Sequence, residues 1–201
     1  MAVEIELKAR LDDFEPVKER LSGSGIYCRS YQKTDSYWLR PQTTGPVLRV
    51  RRERGMNADG TTYESVSVTS KVKEITDGIE VNDEREFTVS DDALFEDLLY
   101  CVGMDKVKRK EKNGWAWIIA GETAGLPSVT AELSLVTGLG WFLELEIVLA
   151  EARREEIAES RKRLLALLER LEVPADQIEE RPYTVLLGEP TPVPPSSPPA
   201  R

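Results

Sequence analysis

Val3-Glu4-Ile5-Glu6-Leu7-Lys8-Ala9-Arg10 alternates an apolar with a charged residue at every step. Drawn as a strand, it carries Val, Ile, Leu and Ala on one face and Glu, Glu, Lys and Arg on the other. The pattern returns along the chain. Arg49 and Arg51, Lys71 and Lys73, Glu84 and Glu86, Lys106, Lys108 and Lys110, and Glu144 and Glu146 stand two apart and so share faces. For one strand, a polar face turned to water explains this. A solvated face, however, mixes signs and includes Thr, Ser and Gln, because adjacent like charges repel. Here like charges recur on six strand-like segments, with carboxylates on the first, fourth and last of them and bases on the others.

Outward from that stretch, Asp12 can cap a helix carrying Phe14, Val17 and Leu21, closed by Gly23 and Gly25. Strands are expected at Asp35 to Leu39, Val47 to Arg52, Ser65 to Lys73 and Glu80 to Val89, separated by turn-forming residues. Asp91 or Asp92 caps a helix through Leu94, Leu98, Leu99 and Val102, ended by Gly103. Further strands follow at Lys106 to Lys112, Trp115 to Ile119, Val129 to Val136 and Phe142 to Val148. Glu151 to Leu171 is the longest amphipathic helix, and a short helix near Asp176 and the segment Tyr183 to Leu187 come after it. Residues 189–201 are rich in Pro and Ser and read as a disordered tail, leaving residues 1–188 as one domain. The fold class is α+β: a closed antiparallel eight-stranded β-barrel with helices packed outside.

Composition narrows the chemistry. The 201 residues hold 27 Lys and Arg against 36 Asp and Glu, a net charge of -9, which argues against a nucleic-acid or membrane-surface partner. Histidine is absent, so serine-type triads and zinc-histidine sites drop out. Cys28 and Cys101 form no metal or redox motif and read as packing residues in a reduced compartment. The N-terminus reads as no signal peptide and no apolar run is long enough to span a bilayer, so a cytoplasmic protein is expected. The Arg-rich face of the long helix reads as solvent-exposed; a homodimer is compatible with it. Trp115, Trp117 and Trp141 read as packing residues beneath helices.

If the barrel closes with its charged faces inward, acids and bases converge, and they stay ionised only when bound ions neutralise them. A polyanion held by Lys and Arg, with Mg2+ or Mn2+ on a carboxylate cluster, meets that condition.

Several motifs also carry a resemblance. Glu4-Ile5-Glu6-Leu7-Lys8 resembles the ExExK signature of the CYTH superfamily, the triphosphate tunnel metalloenzymes, whose members include class IV adenylate cyclases, thiamine triphosphatases and inorganic triphosphatases. In family order follow Gln32 to Trp38, similar to QxDxYF, then Leu48-Arg49-Val50-Arg51 and Thr69-Ser70-Lys71. Glu84-Arg85-Glu86 resembles the central ExE, Lys108-Arg109-Lys110 the KxR strand, and Gly138 to Glu146 the GLGxFxExE closing strand. Tyr183 to Leu187 looks like the terminal SYxELL element, so the likeness spans about Val3 to Leu187. Two positions depart: Ser134 stands where an aspartate is usual, with Glu132 two residues before it on the same face, and Asn82 stands where an arginine often precedes ExE. Lys110-Glu111-Lys112 fits the lysine strand as well as Lys108 to Lys110 does, so its register is open.

The resemblance implies a metal-dependent enzyme acting on a triphosphate small molecule such as ATP, thiamine triphosphate or tripolyphosphate. Glu4, Glu6, Glu144 and Glu146 would hold the metal, with Glu84 and Glu86 ligating directly or through water. Lys8, Arg49, Arg51, Lys71, Lys73, Lys108 and Lys110 would bind phosphates, and Glu4, Glu6 and Lys8 form the catalytic set. A class IV adenylate cyclase-like reaction, ATP to cyclic AMP and pyrophosphate, is expected. The alternatives are a triphosphatase releasing orthophosphate and a module that binds polyphosphate or nucleotide without turnover.

Overall fold

The computed structural model describes residues 3–42, 48–76, 79–121, 126–150 and 153–188, and the backbone alone at 71–76, 80 and 82–84. Among these, β1 (Val3–Leu11) is followed by α1 (Glu15–Ser24), β2 (Ile26–Leu39), β3 (Leu48–Asn57), β4 (Thr62–Thr76) and β5 (Ile79–Val89). Then come α2 (Asp92–Cys101), β6 (Asp105–Ile119), β7 (Val129–Val136), β8 (Gly140–Leu149), α3 (Arg154–Arg170), a 3-10 turn and α4 (Tyr183–Leu186). All pairings are antiparallel, and the sheet closes in the order β1-β5-β4-β3-β2-β6-β7-β8, with β1 bonded to both β5 and β8.

The barrel is apolar outside and charged inside. Ile5, Leu7 and Ala9 of β1 are fully buried with Leu145 and Ile147 of β8 beneath Leu164 and Leu168 of α3 and Leu21 of α1. Trp38, Val50 and Val68 pack likewise against Leu99 of α2. Burying these outer faces under helices supplies the apolar area that a small domain needs. The period-2 alternation then obliges Glu4, Glu6 and Lys8 to point into the lumen.

Several boundaries differ from the sequence expectation. Helix α1 starts at Glu15, with Phe14 at the cap position and Asp13 accepting from the Glu15 N–H at 3.1 Å; Asp12 does not cap it. Phe14 instead stacks on Trp141 with centroids 3.9 Å apart, and Trp115 lies parallel to Trp141, so these rings are external packing. Asp91 is the residue that caps α2, accepting from the Leu94 N–H at 3.0 Å. β2 begins at Ile26, nine residues before the expected Asp35. β6 runs unbroken through Asn113-Gly114, which reads as a turn in sequence. Gly114 lies opposite Ser134, and a Cβ there would sit 2.2 Å from the Leu133 carbonyl oxygen, so it serves close approach of β7.

The segment after α3 closes one end of the barrel. The Glu179 N–H donates to the Lys8 carbonyl at 2.8 Å, and Tyr183 of α4 meets Phe142 edge-on at 5.1 Å. No helix among the described residues is long and apolar enough to cross a membrane. Residues 189–201, expected to be a tail, lie outside the described residues.

Candidate functional site

The lumen holds a cavity of about 880 Å³ whose described lining includes seven acidic and seven basic side chains. Cross-strand register sets their layers. One row pairs Lys8, Glu144, Glu132, Ala116 and Arg29 across β1, β8, β7, β6 and β2. The next pairs Glu6, Glu146, Thr130, Ile118 and Ile26 across the same strands. From one row to the next the lumen changes from alternating ion pairs to facing carboxylates and then to aliphatic residues.

The densest interactions centre on two buried carboxylates. Asp35, fully buried, accepts from Arg51 Nε and Nη2 at 2.7 and 2.9 Å, and Lys110 Nζ stands 2.9 Å away. Burial alone would raise the Asp35 carboxyl, but Arg51 and then Lys110 outweigh it and hold the group well below the usual carboxylate range. Lys110 shows the other side of this balance: burial brings its ammonium down to about 8 despite Asp35. Glu132 accepts from Lys33 at 2.6 Å, from Lys112 at 3.0 Å and from the Tyr31 hydroxyl at 3.0 Å. Lys112 also donates to Glu144. Burial opposes ionisation of Glu144, yet Lys112 draws its pKa down to about 2. These interior charges are neutralised by one another, which is the arrangement that makes a buried charged cluster tolerable.

Placed in this geometry, Glu4, Glu6, Lys8, Arg49, Arg51, Lys110, Glu86, Glu144 and Glu146 all line the cavity. Several have structural partners as well. Lys8 Nζ donates to the Arg181 carbonyl at 2.6 Å, Glu86 accepts from the Thr69 hydroxyl at 2.8 Å, and Arg49 donates to Thr69 at 3.0 Å. Lys108 departs from the expectation. Its ammonium donates to the carbonyls of Thr184, at 2.7 Å, and of Gly188, fastening the end of α4. Lys106 departs too: a register irregularity between the Tyr37-Lys108 and Trp38-Lys106 pairs turns it outward to Glu96 of α2. The inward lysines of β6 are therefore Lys108, Lys110 and Lys112. Side chains of Lys71, Lys73 and Glu84 lie outside the described residues, but the backbone pairs Lys71 with Glu84 and Lys73 with Asn82.

Lys33 and Asp35 are not among the site residues expected from sequence, and Lys112 and Glu132 stand there only as alternatives, the first by the open register of the lysine strand and the second beside Ser134. Lys33 and Asp35 alternate opposite signs on one strand, the pattern that reads as a solvated face. Their signal is the Lys-x-Asp-x-Tyr alternation in a strand with no exposed edge. Glu132 takes the inward position next to Ser134, whose buried hydroxyl has no hydrogen-bond partner among the described residues.

A divalent cation can be tested against this donor set. Glu6 and Glu146 face each other directly on β1 and β8, with Glu4 two residues along β1, and facing like charges favour a cation between them. Glu144 is already engaged by Lys112. No three acidic or thiol side chains among the described residues enclose an ion by themselves. That suits a hard cation bound by one or two carboxylates, with water and ligand oxygens completing its shell. Glu4, Glu6 and Glu146 fit that role in kind.

Comparison with known proteins agrees with the fold. The CYTH domain profile matches residues 2–183, so the chain belongs to the CYTH family. Among solved structures, a Pyrococcus horikoshii protein is 24% identical, with a TM-score of 0.73 over 92% of this chain and 97% of that one. A Vibrio parahaemolyticus protein, described as a candidate adenylate cyclase, is 18% identical, with a TM-score of 0.70 over 92% and 97%. A Hippeastrum protein, described as a candidate adenylyl cyclase with dominant triphosphatase activity, is 10% identical, with a TM-score of 0.57 over 94% and 97%. No curated protein matches.

Proposed function

We propose that the barrel binds a triphosphate together with Mg2+ or Mn2+ and cleaves it, in a class IV adenylate cyclase-like conversion of ATP to cyclic AMP and pyrophosphate. The observation that carries this is the concentration of Arg49, Arg51, Lys110, Lys112 and Lys33 around one cavity in a protein of net charge -9. A surface of that overall sign repels polyanions, so only a local cluster of donors can hold one. In this reading Arg51 and Lys110 are aimed by Asp35, and Lys33 and Lys112 by Glu132, before any ligand arrives. Fixed donors of this kind cost little reorganisation when charge develops on phosphoryl oxygens.

Glu4, Glu6 and Glu146, with Glu84, Glu86 and Glu144 nearby in the sheet, would hold the metal, which when bound supplies positive charge to the phosphate chain. Lys8 and Arg49 orient the phosphates beside those carboxylates, and no covalent intermediate on the protein is called for. The Hippeastrum likeness favours a second reading, hydrolysis of thiamine triphosphate or tripolyphosphate to orthophosphate, which needs the same residues with water as nucleophile. Residues 1–188 act as the catalytic unit. The two free cysteines suit a reducing, cytoplasmic setting.

The test is to incubate the protein with ATP, thiamine triphosphate or tripolyphosphate and either metal, and to separate orthophosphate, pyrophosphate and cyclic AMP. Cyclic AMP with pyrophosphate supports the cyclase and orthophosphate the triphosphatase. Binding with no product at all would leave a non-catalytic module and overturn the enzymatic reading.

A further inference from the structure

Helix α2 is apolar on two sides, and the barrel takes up one of them. Phe95 and Leu99 turn inward onto the cluster of Trp38, Val50, Val66 and Val68. On the outer side Leu94, Leu98 and Val102 are 59%, 54% and 73% exposed, and Phe87 of β5, its ring edge-on to that of Phe95 at 6.1 Å, is 55% exposed. At about 100° of rotation per residue, Leu94, Leu98, Cys101 and Val102 fall within an arc of about 100° that adjoins the inward face at Phe95. A helix apolar on both flanks is one that is covered on both. Four large side chains at this exposure present on the order of 400 Å2 of apolar surface, the size of patch that marks an interaction site.

The form and charge of this face fit a second copy of the chain. Leu94, Leu98 and Val102 stand four apart and so make one ridge of the kind that packs into the matching groove of another helix. The ridge is symmetric about Leu98, as a surface that meets itself across a two-fold axis requires. The acids nearby call for no basic partner: Glu96, on the opposite flank, pairs with Lys106, and Asp92 lies 3.7 Å from Arg52. Asp97 stands at the rim, about 100° round the helix from Leu98. With Ala93, Cys101 and Asp97 as rim, the face approaches the roughly 600–800 Å2 per copy of a specific interface. We propose that α2 and Phe87 form the two-fold interface of a homodimer, with Leu98 next to the axis and each copy's Leu94 against the other's Val102. The contact is independent of what the tunnel binds.

Sedimentation equilibrium of the full chain from about 1 to 200 µM tests this. The expected result is a monomer–dimer equilibrium that Leu98→Glu weakens at least about 100-fold, since each substitution acts twice at a two-fold axis. Leu98 lies on the exposed flank, so the variant should keep the far-UV circular dichroism spectrum of the wild type. Val185→Glu, which adds the same charge on the exposed side of α4, should leave association unchanged. Raising the salt concentration should tighten the dimer, because two copies of net charge -9 repel while the contact itself is apolar. A chain that stays monomeric throughout overturns the proposal, whether the face is then taken by residues 189–201 or by a different protein. So does a dimer that survives Leu98→Glu, responds equally to Val185→Glu, or loosens as salt rises.

Discussion

Replacing Asp35 by Asn separates what the interior needs for folding from what it needs for a ligand. Asp35 is fully buried and accepts three charge-assisted contacts, two from Arg51 and one from Lys110, all within 2.9 Å. Asn keeps the shape, removes the charge and turns an amide N–H2 towards a guanidinium or an ammonium. Removing one partner of such a buried pair costs about 3–5 kcal/mol, most of it from the cations left unneutralised. For a chain of this size that is a fall in Tm of roughly 6–20 °C. The effect has a pH signature. The folded Asp35 carboxyl titrates well below its ordinary 3.8, so its contribution is complete above that value and is lost as pH falls through the folded pKa. The gap between wild type and Asp35→Asn should therefore close under strong acid. Tripolyphosphate with Mn2+ at about 100 times Kd adds about 2.7 kcal/mol to a competent site. Because the ligand neutralises the stranded Arg51 and Lys110, the variant should gain at least as much as wild type. Scanning calorimetry with and without ligand measures both quantities. A ligand-free loss under about 1 kcal/mol would refute the ion-pair argument, and a variant that ligand fails to stabilise would refute the assignment of Arg51 and Lys110 as phosphate donors.

Lys110 gives a second pH test: with its pKa brought down to about 8 in the free protein, triphosphate binding above that pH must recharge it. Kd should rise about tenfold per pH unit above 8, with proton uptake visible by calorimetry in buffers of different ionisation heat, and a flat Kd to pH 9.5 argues against the contact. The unfolded chain holds that proton up to about its ordinary 10.5, so ligand-free stability should rise with pH through the same window. Glu6→Gln should lower metal-dependent turnover by about 10–100-fold or more and weaken Mn2+ affinity in parallel; unchanged affinity would remove Glu6 from the metal set. Gly114→Ala should cost about 2–3 kcal/mol or abolish soluble expression, since its Cβ would lie 2.2 Å from the Leu133 carbonyl oxygen. Lys108→Met should speed proteolysis near residues 183–188 while changing tripolyphosphate affinity less than about threefold, well under one charge-assisted contact. A large affinity loss would return Lys108 to the phosphate set.

The fold was legible because one face of each strand had to be apolar and the other could not be. Ile5, Leu7 and Ala9 against Glu4, Glu6 and Lys8 already say which face the helices cover. The motif likeness supplied closure, which alternation alone does not. What sequence could not supply was the register of β6. Its irregularity moves the inward set from Lys106, Lys108 and Lys110 to Lys108, Lys110 and Lys112, and only pairing with Tyr37 and Trp38 reveals it. The criterion of like charges two apart was also blind where the interior neutralises itself within a strand. Lys33 and Asp35 therefore fall outside that criterion, although they are 4% and 0% exposed. Lys108 illustrates a different limit: its inward direction was legible, but its partners are carbonyls 76 and 80 residues away in sequence.

Those partners bear on how an acidic protein holds an anion. Interior bases are matched to carboxylates, as Lys112 is to Glu132 and Glu144, or to backbone carbonyls, as Lys8 is to that of Arg181. A triphosphate entering this lattice does not meet bare cations; it must compete with carboxylates for them. Displacing Glu132 or Glu144 from Lys112 would free a carboxylate beside the facing pair Glu6 and Glu146, where additional negative charge favours a divalent cation. Anion and metal should then bind with positive cooperativity, each neutralising what the other exposes, and by reciprocity either one should tighten the other by the same factor. A tunnel built from bases alone would bind the anion without needing the metal. The interleaved acids would make the two proposed ligands interdependent, an expectation that rests on the registers of β1, β7 and β8.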